Sequence, residues 1–260
     1  MRITIIGSGN VATHLSAALR NAGHRIVQVY SPNMQNAALL AYHVGAEPID
    51  TLDAIDADTN LFIIAVKDDA IASLVPQLSR YGQVIAHTSG AVHLEAVQAY
   101  TELAGVFYPL QTFSKTKEVN FREVPLCIEG ADEQIAKMLE GLARDLSNNV
   151  YRVNSAQRKV LHLAAVFACN FTNYLYAVSE DLLTANNMSF DMLRPLILET
   201  ADKMRAHHPA DVQTGPAIRN DDQTMEKHLL MLDKEPELRA IYNLLSQGII
   251  KNNNKPNGDK

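Results

Sequence analysis

The first 150 residues alternate short apolar runs with stretches in which apolar residues recur every three or four positions. Short continuous runs predict strands buried on both faces of a sheet, and the recurring spacing predicts amphipathic helices. The predicted strands are Arg2–Ile6, Ile26–Tyr30, Ala46–Ile49, Leu61–Val66, Gln83–His87, Gly105–Tyr108, Val124–Ile128 and Val150–Val153. The predicted helices between them are a stretch ending at Asn21, Met34–Val44, a helix beginning at Asp68, Val92–Glu102 and Asp132–Leu146. This alternation predicts βαβ units, and therefore an α/β domain with a doubly wound parallel sheet.

From Ser155 onward the pattern is helical only. The predicted helices are Ser155–Asn186 with Ser155 as its N-cap, Phe190–His207, Asp222–Asp233 and Pro236–Ile250. Pro195 fits the second of these if that helix begins near Arg194 or is kinked there. We expect a domain boundary near Asn154, which gives a sheet domain at 1–154 and an all-helical substrate and dimerisation domain at 155–250. The tail 251–260, rich in Asn, Lys and Gly, is expected to be disordered.

The long helix that begins at Ser155 predicts an oligomer. Its apolar residues spread around more than one face, and a helix that is apolar on several sides must be surrounded. These residues are Leu161, Ala164, Ala165, Val166, Ala168, Cys169, Phe171, Leu175 and Ala177. We therefore expect a symmetric homodimer through the C-terminal domain. The alternative is a monomer in which the first domain and the later helices cover this helix.

Composition and charge narrow the classes of partner. The chain has 260 residues and a net charge of −6, and it has no cluster of basic residues, which argues against nucleic-acid binding. No apolar run approaches the ~20 residues of a membrane span, and the first residues do not form a secretory signal.

Cys127 and Cys169 lie in apolar neighbourhoods, which predicts buried free thiols in a reducing cytoplasm. Adjacent His207 and His208 would point about 100° apart on a helix, so we expect no metal site.

The strongest motif is the sequence Gly7-x-Gly9-x-x-Ala12 between the first strand and the first helix. Gly7 allows the tight turn, Gly9 lets the backbone approach a pyrophosphate, and Ala12 lets the helix pack closely on the strand. The helix N-terminus then offers backbone donors to the phosphates. The pattern predicts dinucleotide binding by Gly7, Ser8, Gly9, Asn10 and Val11. The alternative is an incidental glycine turn.

The end of the second strand bears on the choice of cofactor. An NAD enzyme commonly carries Asp or Glu here, whereas this chain has Tyr30, Ser31, Pro32 and Asn33. The lack of an acid favours NADP, with Ser31 and Asn33 next to the adenosine ribose, although no Arg follows to clamp a 2′-phosphate. NAD remains the alternative cofactor, and the loop could also be only a turn.

Two further strand ends carry candidate site residues, because open α/β sheets bind ligands at the carboxyl ends of their strands. Val66 and Lys67 would line the middle of the cofactor, although Lys67 could equally be an exposed lysine beside a helix start. Ser89, in the sequence His87-Thr88-Ser89-Gly90, would hold a carboxylate or carbonyl oxygen. The alternative for Ser89 is an ordinary helix-capping turn.

On the long helix, His162 is a candidate proton donor or acceptor and Asn170 a candidate substrate ligand. At ~1.5 Å per residue the two lie about 12 Å apart along the axis, so they cannot both touch one reacting carbon. A core histidine bonded to a backbone carbonyl and a helix-packing amide are the corresponding structural alternatives.

Six motifs in a fixed order resemble a family of bacterial proteins provisionally classed as NADP oxidoreductases. The motifs are Gly7–Ala12, Ala65–Asp69, His87–Gly90, Tyr108–Phe113, His162–Asn170 and Thr214–Asp221. The resemblance spans nearly the whole chain. It implies a Rossmann-like domain followed by an all-helical domain similar to that of 6-phosphogluconate dehydrogenase. The family is also distantly similar to pyrroline-5-carboxylate reductase and 3-hydroxyisobutyrate dehydrogenase.

The resemblance implies an NAD(P)-dependent oxidoreductase that transfers hydride between nicotinamide and a small carbonyl, imine or hydroxyacid. Two departures qualify it. Pro32 stands where the family commonly has Arg, and Lys159 is followed four residues later by Leu163 rather than by the Asn of hydroxyacid dehydrogenases. The alternatives are a dinucleotide-binding regulatory protein without turnover and a purely structural dimer.

Overall fold

In the computed structural model, which describes residues 1–114 and 117–253, eight strands form one sheet. The strands are β1 (Arg2–Ile6), β2 (Arg25–Tyr30), β3 (Glu47–Ile49), β4 (Leu61–Ile64), β5 (Val84–His87), β6 (Ala104–Pro109), β7 (Leu126–Gly130) and β8 (Val150–Arg152). Their order is β3-β2-β1-β4-β5-β6-β7-β8, and β1 to β6 all run parallel to one another. The predicted α/β fold with a doubly wound sheet is confirmed, and its first six strands have the Rossmann order.

The last two strands depart from the expected all-parallel sheet. β7 runs antiparallel to β6, with Tyr108 opposite Cys127 and Val106 opposite Glu129, and β8 runs parallel to β7. A parallel pair needs a long crossover, usually a helix, to carry the chain back. The described residues between β6 and β7 contain only the 3₁₀ turn Phe121–Glu123, so the chain returns antiparallel.

Five helices pack on the two faces of this sheet. They are α1 (Asn10–Asn21), α2 (Met34–Val44), α3 (Asp68–Ser79), α4 (Glu95–Gln98) and α5 (Glu133–Leu146). The core against α1, α2 and α5 includes Ile5 and Phe107, and the core against α3 and α4 includes Phe62 and Tyr108. α4 is a single turn rather than the predicted Val92–Glu102, because the residues before it form a turn that is tied to other parts of the chain.

The long helix runs from Ser155 to Thr184 in three parts: α6 (Ser155–Ala165), a π-helical segment (Val166–Phe171) and α7 (Thr172–Thr184). Its N-cap is Asn154 rather than the expected Ser155. Asn154 accepts from the backbone N–H of Gln157, and the Gln157 side chain accepts from the backbone N–H of Asn154, which makes a capping box. The Ser155 hydroxyl bonds instead to the Glu129 carboxylate and the backbone N–H of Leu94.

The chain divides into two compact units, Met1–Leu175 and the residues from Tyr176 onward. The first unit extends beyond the predicted boundary near Asn154, because α6 packs on the sheet through Leu161. The second unit contains α8 (Arg194–Lys203), α9 (Asp222–Met231) and α10 (Pro236–Asn253). Pro195 lies in the first turn of α8, where no intrahelical N–H bond is lost. α10 includes Lys251–Asn253 of the predicted tail, and 254–260 lie outside the described residues.

The two cysteines differ in environment. Both are free thiols, but only Cys127 is buried, whereas Cys169 is exposed in the π-helical segment. The expectation that both are buried is therefore wrong for Cys169. Its apolar neighbours along the chain, such as Phe167, are themselves exposed.

The capping box gives a direct stability test. We expect Asn154→Ala to lower the free energy of unfolding by about 1 kcal/mol, since it removes an acceptor from the first turn of α6. Urea denaturation measures this loss. Asn148→Ala, at an exposed position outside the helices, is the control and should change stability by less than about 0.5 kcal/mol. Equal effects of the two substitutions would contradict the role given to the cap.

Candidate active site

The β1–α1 turn is seated against the carboxyl end of β4. Gly7 has φ +123°, and a Cβ there would lie 2.8 Å from the carbonyl carbon of Ala65 and 3.1 Å from the Val66 side chain. Its backbone N–H donates to the carbonyl of Tyr30 at the end of β2. Only glycine fits this position, because both the backbone conformation and the space exclude a side chain.

The N-terminus of α1 is open to a ligand. Gly9 is the N-cap and supplies no side-chain cap bond, and the first turn carries no acidic residue. A Cβ at Gly9 would meet no atom within 4 Å, so there is open space over this turn. Free backbone N–H groups and the positive end of the helix dipole suit an anionic phosphate. The residues present therefore fit the pyrophosphate of a dinucleotide.

The predicted adenosine side of the site is built from small polar groups. Ser31 is buried, and its hydroxyl accepts a hydrogen bond from the Ser8 hydroxyl at 3.2 Å. The Asn33 side-chain oxygen is the N-cap of α2 and accepts from the backbone N–H groups of Gln35 and Asn36. Ser8, Tyr30 and Ser31 thus lie together around the glycine turn. The side-chain oxygen of Asn33, in contrast, already accepts hydrogen bonds from the first turn of α2.

Four other predicted cofactor residues have defined positions. Lys67 is exposed as the residue before α3, and it follows the half-buried Val66 at the end of β4. The Asn10 side chain donates to the backbone carbonyl of Phe113 at 2.9 Å, which ties the first turn of α1 to the segment after β6. Val11 packs on the core of the same face.

The end of β5 forms a tight buried turn. The Ser89 hydroxyl accepts from the backbone N–H groups of Ala91 at 3.1 Å and Val92 at 3.0 Å, which is the capping geometry considered as its alternative. Nδ1 of His87 accepts from the backbone N–H of Ser89 at 3.2 Å. Burial, then the nearby positive charge of Arg158, lowers the pKa of His87 to about 3. His87 is therefore a neutral structural residue, and a substrate role for Ser89 stays a prediction.

Tyr108, His162 and Gly90 meet at the carboxyl end of β6. The Tyr108 hydroxyl lies 3.2 Å from Nδ1 of His162, and the two rings meet edge to face. A Cβ at Gly90 would lie 2.7 Å from that same Nδ1 and 2.8 Å from Cζ of Tyr108. Burial raises the pKa of Tyr108 to about 12, and the neighbouring Cys127 adds to this effect. Tyr108 therefore keeps its proton at neutral pH.

A buried ion pair holds α6 against this part of the sheet. Arg158, 1% exposed, donates to the Glu129 carboxylate of β7 and to the carbonyl of Val92 at 2.6 Å. The Ser155 hydroxyl donates to the same carboxylate at 2.7 Å, and it accepts from the backbone N–H of Leu94 at 3.0 Å. α6, β7 and the residues before α4 are thus joined by one network.

Sequence reasoning assigned no site role to Tyr108, Gly90, Arg158 or Glu129. Tyr108 and Gly90 do lie within two of the six motifs of the resemblance, and Arg158 lies four residues before His162, a spacing that places two side chains on the same face of a helix. Asn170, in contrast, is exposed in the π-helical segment, about 12 Å along the axis from His162. Its predicted role toward substrate remains a prediction.

These features lie along one edge of the sheet. The carboxyl ends of β1, β4, β5 and β6 are adjacent, so that Gly7, Val66, Ser89 and Tyr108 follow one another. At about 4.8 Å between strands, the step from β1 to β6 is about 14 Å. In residues 1–114 and 117–253, no three His, Cys, Asp or Glu side chains come together as a metal site.

Both parts of this architecture match known protein families. The family profile of a Rossmann-like domain matches residues 1–112, and that of the domain of unknown function DUF2520 matches residues 124–249. The chain is 43% identical to a Bacteroides fragilis protein provisionally described as an NADP oxidoreductase, with a TM-score of 0.89 and coverage of 96% of this chain and 98% of that one. The chain belongs to this oxidoreductase family. The predicted resemblance is confirmed.

More distant structures share the fold of this oxidoreductase family. A Thermotoga maritima protein is 20% identical, with a TM-score of 0.75 and coverage of 96% and 98% of the two chains. An imine reductase from Myxococcus stipitatus, solved with NADP+, is 14% identical, with a TM-score of 0.68 and coverage of 96% and 93%. At these identities the likeness concerns the fold alone. No curated protein sequence matches the chain.

The buried neutral His87 predicts a pH dependence of stability. Its pKa is about 3 in the folded protein against an ordinary value of 6.5, so the unfolded chain binds the extra proton between these pH values. The stability that the neutral form provides is complete above pH 6.5 and falls by about 1.4 kcal/mol per pH unit as the pH drops toward 3. We expect His87→Asn, whose side-chain oxygen can replace Nδ1 as acceptor, to flatten this loss.

The measurement is the free energy of unfolding in urea at pH 7 and pH 4.5 for both proteins. The wild-type protein should lose about 3 kcal/mol more than His87→Asn between the two conditions. His43→Asn, at an exposed position on α2, is the control and should keep the wild-type slope. Parallel slopes for wild type and His87→Asn would show that His87 is not held neutral.

Proposed function

We propose that the protein is an NADP-dependent reductase that acts on a small carbonyl or imine, or on the corresponding hydroxyacid in the reverse direction. The observation that carries this proposal is the shared sheet edge. The glycine turn at Gly7 and Gly9, which fits a pyrophosphate, and the Tyr108–His162 pair, which can exchange a proton, both lie at carboxyl ends of adjacent strands. The Bacteroides fragilis relative and its provisional description support the choice of NADP.

When bound, the reduced nicotinamide supplies a hydride to the substrate carbon. The chain must then supply one proton to the substrate oxygen or nitrogen. Burial holds His87, Tyr108 and Cys127 in their uncharged forms, because it lowers the pKa of the first and raises the pKa values of the other two. Arg158 is a permanent cation within an ion pair. His162 is thus the member of this cluster that we assign as proton donor.

The pyrophosphate would be held by the turn of Gly7, Ser8 and Gly9 and by the first N–H groups of α1. Ser31 and Asn33 would contact the adenosine ribose, with Tyr30, Val66 and Lys67 along the cofactor. No acidic residue occupies the end of β2, which leaves room for the extra phosphate of NADP. Ser89 and Asn170 would contact the substrate.

Cofactor binding is the first test. A ligand that binds only the folded state at 1,000 times its Kd stabilises it by about 4 kcal/mol, so a micromolar binder at ~1 mM should raise the melting temperature by several degrees. We expect this shift with NADPH, and a smaller one with NADH. Gly9→Asp should abolish it, because the carboxylate would repel the pyrophosphate, while the open space at Gly9 lets the variant fold. Gly141→Asp, exposed on α5, is the matched control.

The outcomes separate three kinds of function. Absence of a shift with both cofactors would exclude the reductase and the nucleotide-binding regulator together, and would leave the structural dimer. A shift with NADPH but no oxidation of NADPH by a panel of carbonyls and cyclic imines would favour the regulator. Oxidation of NADPH by one of these compounds, lost in Gly9→Asp and retained in Gly141→Asp, would establish the reductase.

We also propose that the chain forms a cytoplasmic homodimer through its helical region. Val160, Leu163, Phe167, Phe171 and Tyr174 follow a spacing of three or four residues on the long helix, and each is 49–69% exposed. In the described part of the second unit, 176–253, Ala217 is the one buried residue. Helices with so many exposed apolar side chains are expected to pack against another surface. A second copy of the chain presents the same apolar stripe and can therefore form a symmetric interface with it.

The alternative is that the apolar stripe of the long helix lies in a lipid bilayer. Ser155–Thr184 is long and apolar enough to span one, and none of its most apolar stretch is buried. Two observations favour protein instead. The helix begins with Arg158 in its ion pair on the sheet and carries Glu180 and Asp181 near its end. Between Leu161, which packs on the sheet, and Glu180 only 18 residues remain, about 27 Å of helix, which is shorter than the ~30 Å hydrocarbon core.

Light scattering tests the dimer. We expect a mass near twice 28.7 kDa at micromolar concentration, and the monomer mass for Leu163→Glu/Phe167→Glu, since two carboxylates would be buried in the interface. Leu39→Glu, at a site on α2 that is 60% exposed, is the control and should leave the mass unchanged. A wild-type mass near 29 kDa, or recovery of the wild-type chain in the membrane fraction, would contradict the proposal.

A further inference from the structure

The contact between Tyr108 and His162 uses one particular ring nitrogen. The Tyr108 hydroxyl lies 3.2 Å from Nδ1, which leaves Nε2 as the other atom able to carry a proton. The residues come from separate elements, the end of β6 and the middle of α6, so the contact depends on how α6 lies on the sheet. A half-buried imidazole with one nitrogen held in this way has a restricted orientation.

We propose that Tyr108 is a positioning residue, which occupies Nδ1 of His162 in both protonation states so that Nε2 is the atom that delivers the proton to substrate. The proposal rests on the proposed reductase function. In neutral His162 the Tyr108 hydroxyl donates to Nδ1, and the ring proton lies on Nε2. In protonated His162 the bond reverses, and Nδ1–H donates to the Tyr108 oxygen.

This arrangement determines the source of each proton in the proposed reduction. The C=O or C=N double bond gains the hydride at carbon and the Nε2 proton at oxygen or nitrogen, which yields the alcohol or amine. Immediately after this transfer His162 is neutral, with its remaining proton on Nδ1 donated to the Tyr108 oxygen. Water then protonates Nε2 and restores the cation. Loss of the Nδ1 proton from the cation to water gives the Nε2–H neutral form that is present at equilibrium in the free protein. Tyr108 keeps its own proton throughout, as expected of a buried phenol whose pKa is raised to about 12.

Two neighbouring features fix the pair in place. Gly90 has no side chain, and any Cβ there would press on both Nδ1 of His162 and Cζ of Tyr108. Arg158 lies one helical turn before His162 on the same face of α6, and its buried ion pair with Glu129 holds that turn to β7. Rotation or sliding of α6 would therefore disturb the ion pair together with the Tyr108–His162 contact.

The direct test is the tautomer of His162, measured by ¹⁵N NMR of the full-length protein labelled at histidine. His162→Gln identifies the signal by its disappearance. At a pH where His162 is neutral, we expect the proton on Nε2 in the wild-type protein. We expect Tyr108→Phe to remove this preference and give a mixture of the two tautomers, with unchanged unfolding in urea and an unchanged thermal shift with NADPH.

The chain offers an internal control of the same chemistry. In the second unit, Nδ1 of His228 lies 2.8 Å from the hydroxyl of Tyr242. Tyr242→Phe should alter the ¹⁵N signals of His228 and leave those of His162 as in the wild-type protein. With an active substrate, Tyr108→Phe should lower kcat with little change in KM, and His162→Gln should lower kcat by about 10²-fold or more. Tyr242→Phe should leave both parameters unchanged.

Two results would overturn the proposal without touching the reductase itself: the Nδ1–H tautomer in wild-type His162, or an unchanged tautomer in Tyr108→Phe. The first needs no variant, so it holds even if Tyr108→Phe fails to fold. A missing thermal shift with NADPH in the wild-type protein would count against the reductase instead. The two proposals can therefore fail separately.

Discussion

The ion pair between Arg158 and Glu129 is the contact on which the arrangement of the site depends. Arg158 is almost completely buried, and a buried charge is tolerated only when a partner and further hydrogen bonds satisfy it. Glu129 provides the charge, and Val92 and Ser155 provide acceptors. Loss of one partner of such a pair costs about 3–5 kcal/mol, because the other charge is left uncompensated. The start of the long helix is therefore fixed to the sheet.

The two parts of the candidate site, the glycine turn and the Tyr108–His162 pair, depend on this constraint to different degrees. The glycine turn is formed by β1 and the first turn of α1, which are adjacent in sequence, and it is seated against the carbonyl of Ala65. The Tyr108–His162 pair is formed by residues 54 positions apart, and it exists because α6 packs on the sheet through Leu161. The reversal of β7 is part of the same design. An antiparallel β7 brings Cys127 opposite Tyr108 and puts Glu129 within reach of the first turn of α6.

The sequence predicted what is local and missed what is not. β1 and α2 were predicted to the residue, because each depends on its own hydrophobic pattern and on a turn or cap next to it. The direction of β7, the change of N-cap from Ser155 to Asn154 and the one-turn α4 all depend on partners far along the chain. The same holds for the site. The glycine turn follows from a motif, whereas Tyr108 gains its role from His162.

Burial also explains why one residue of the cluster is left for chemistry. The same low-dielectric environment that keeps His87 neutral keeps Tyr108 protonated, and the charge of Arg158 acts in the same direction on His87. Groups whose pKa values are shifted this far from neutrality do not exchange a proton near neutral pH, so they contribute to the site by orienting their neighbours. His87 orients the turn at Ser89, and Tyr108 orients His162. These fixed neighbours leave the half-buried His162 as the group that we assign to proton transfer.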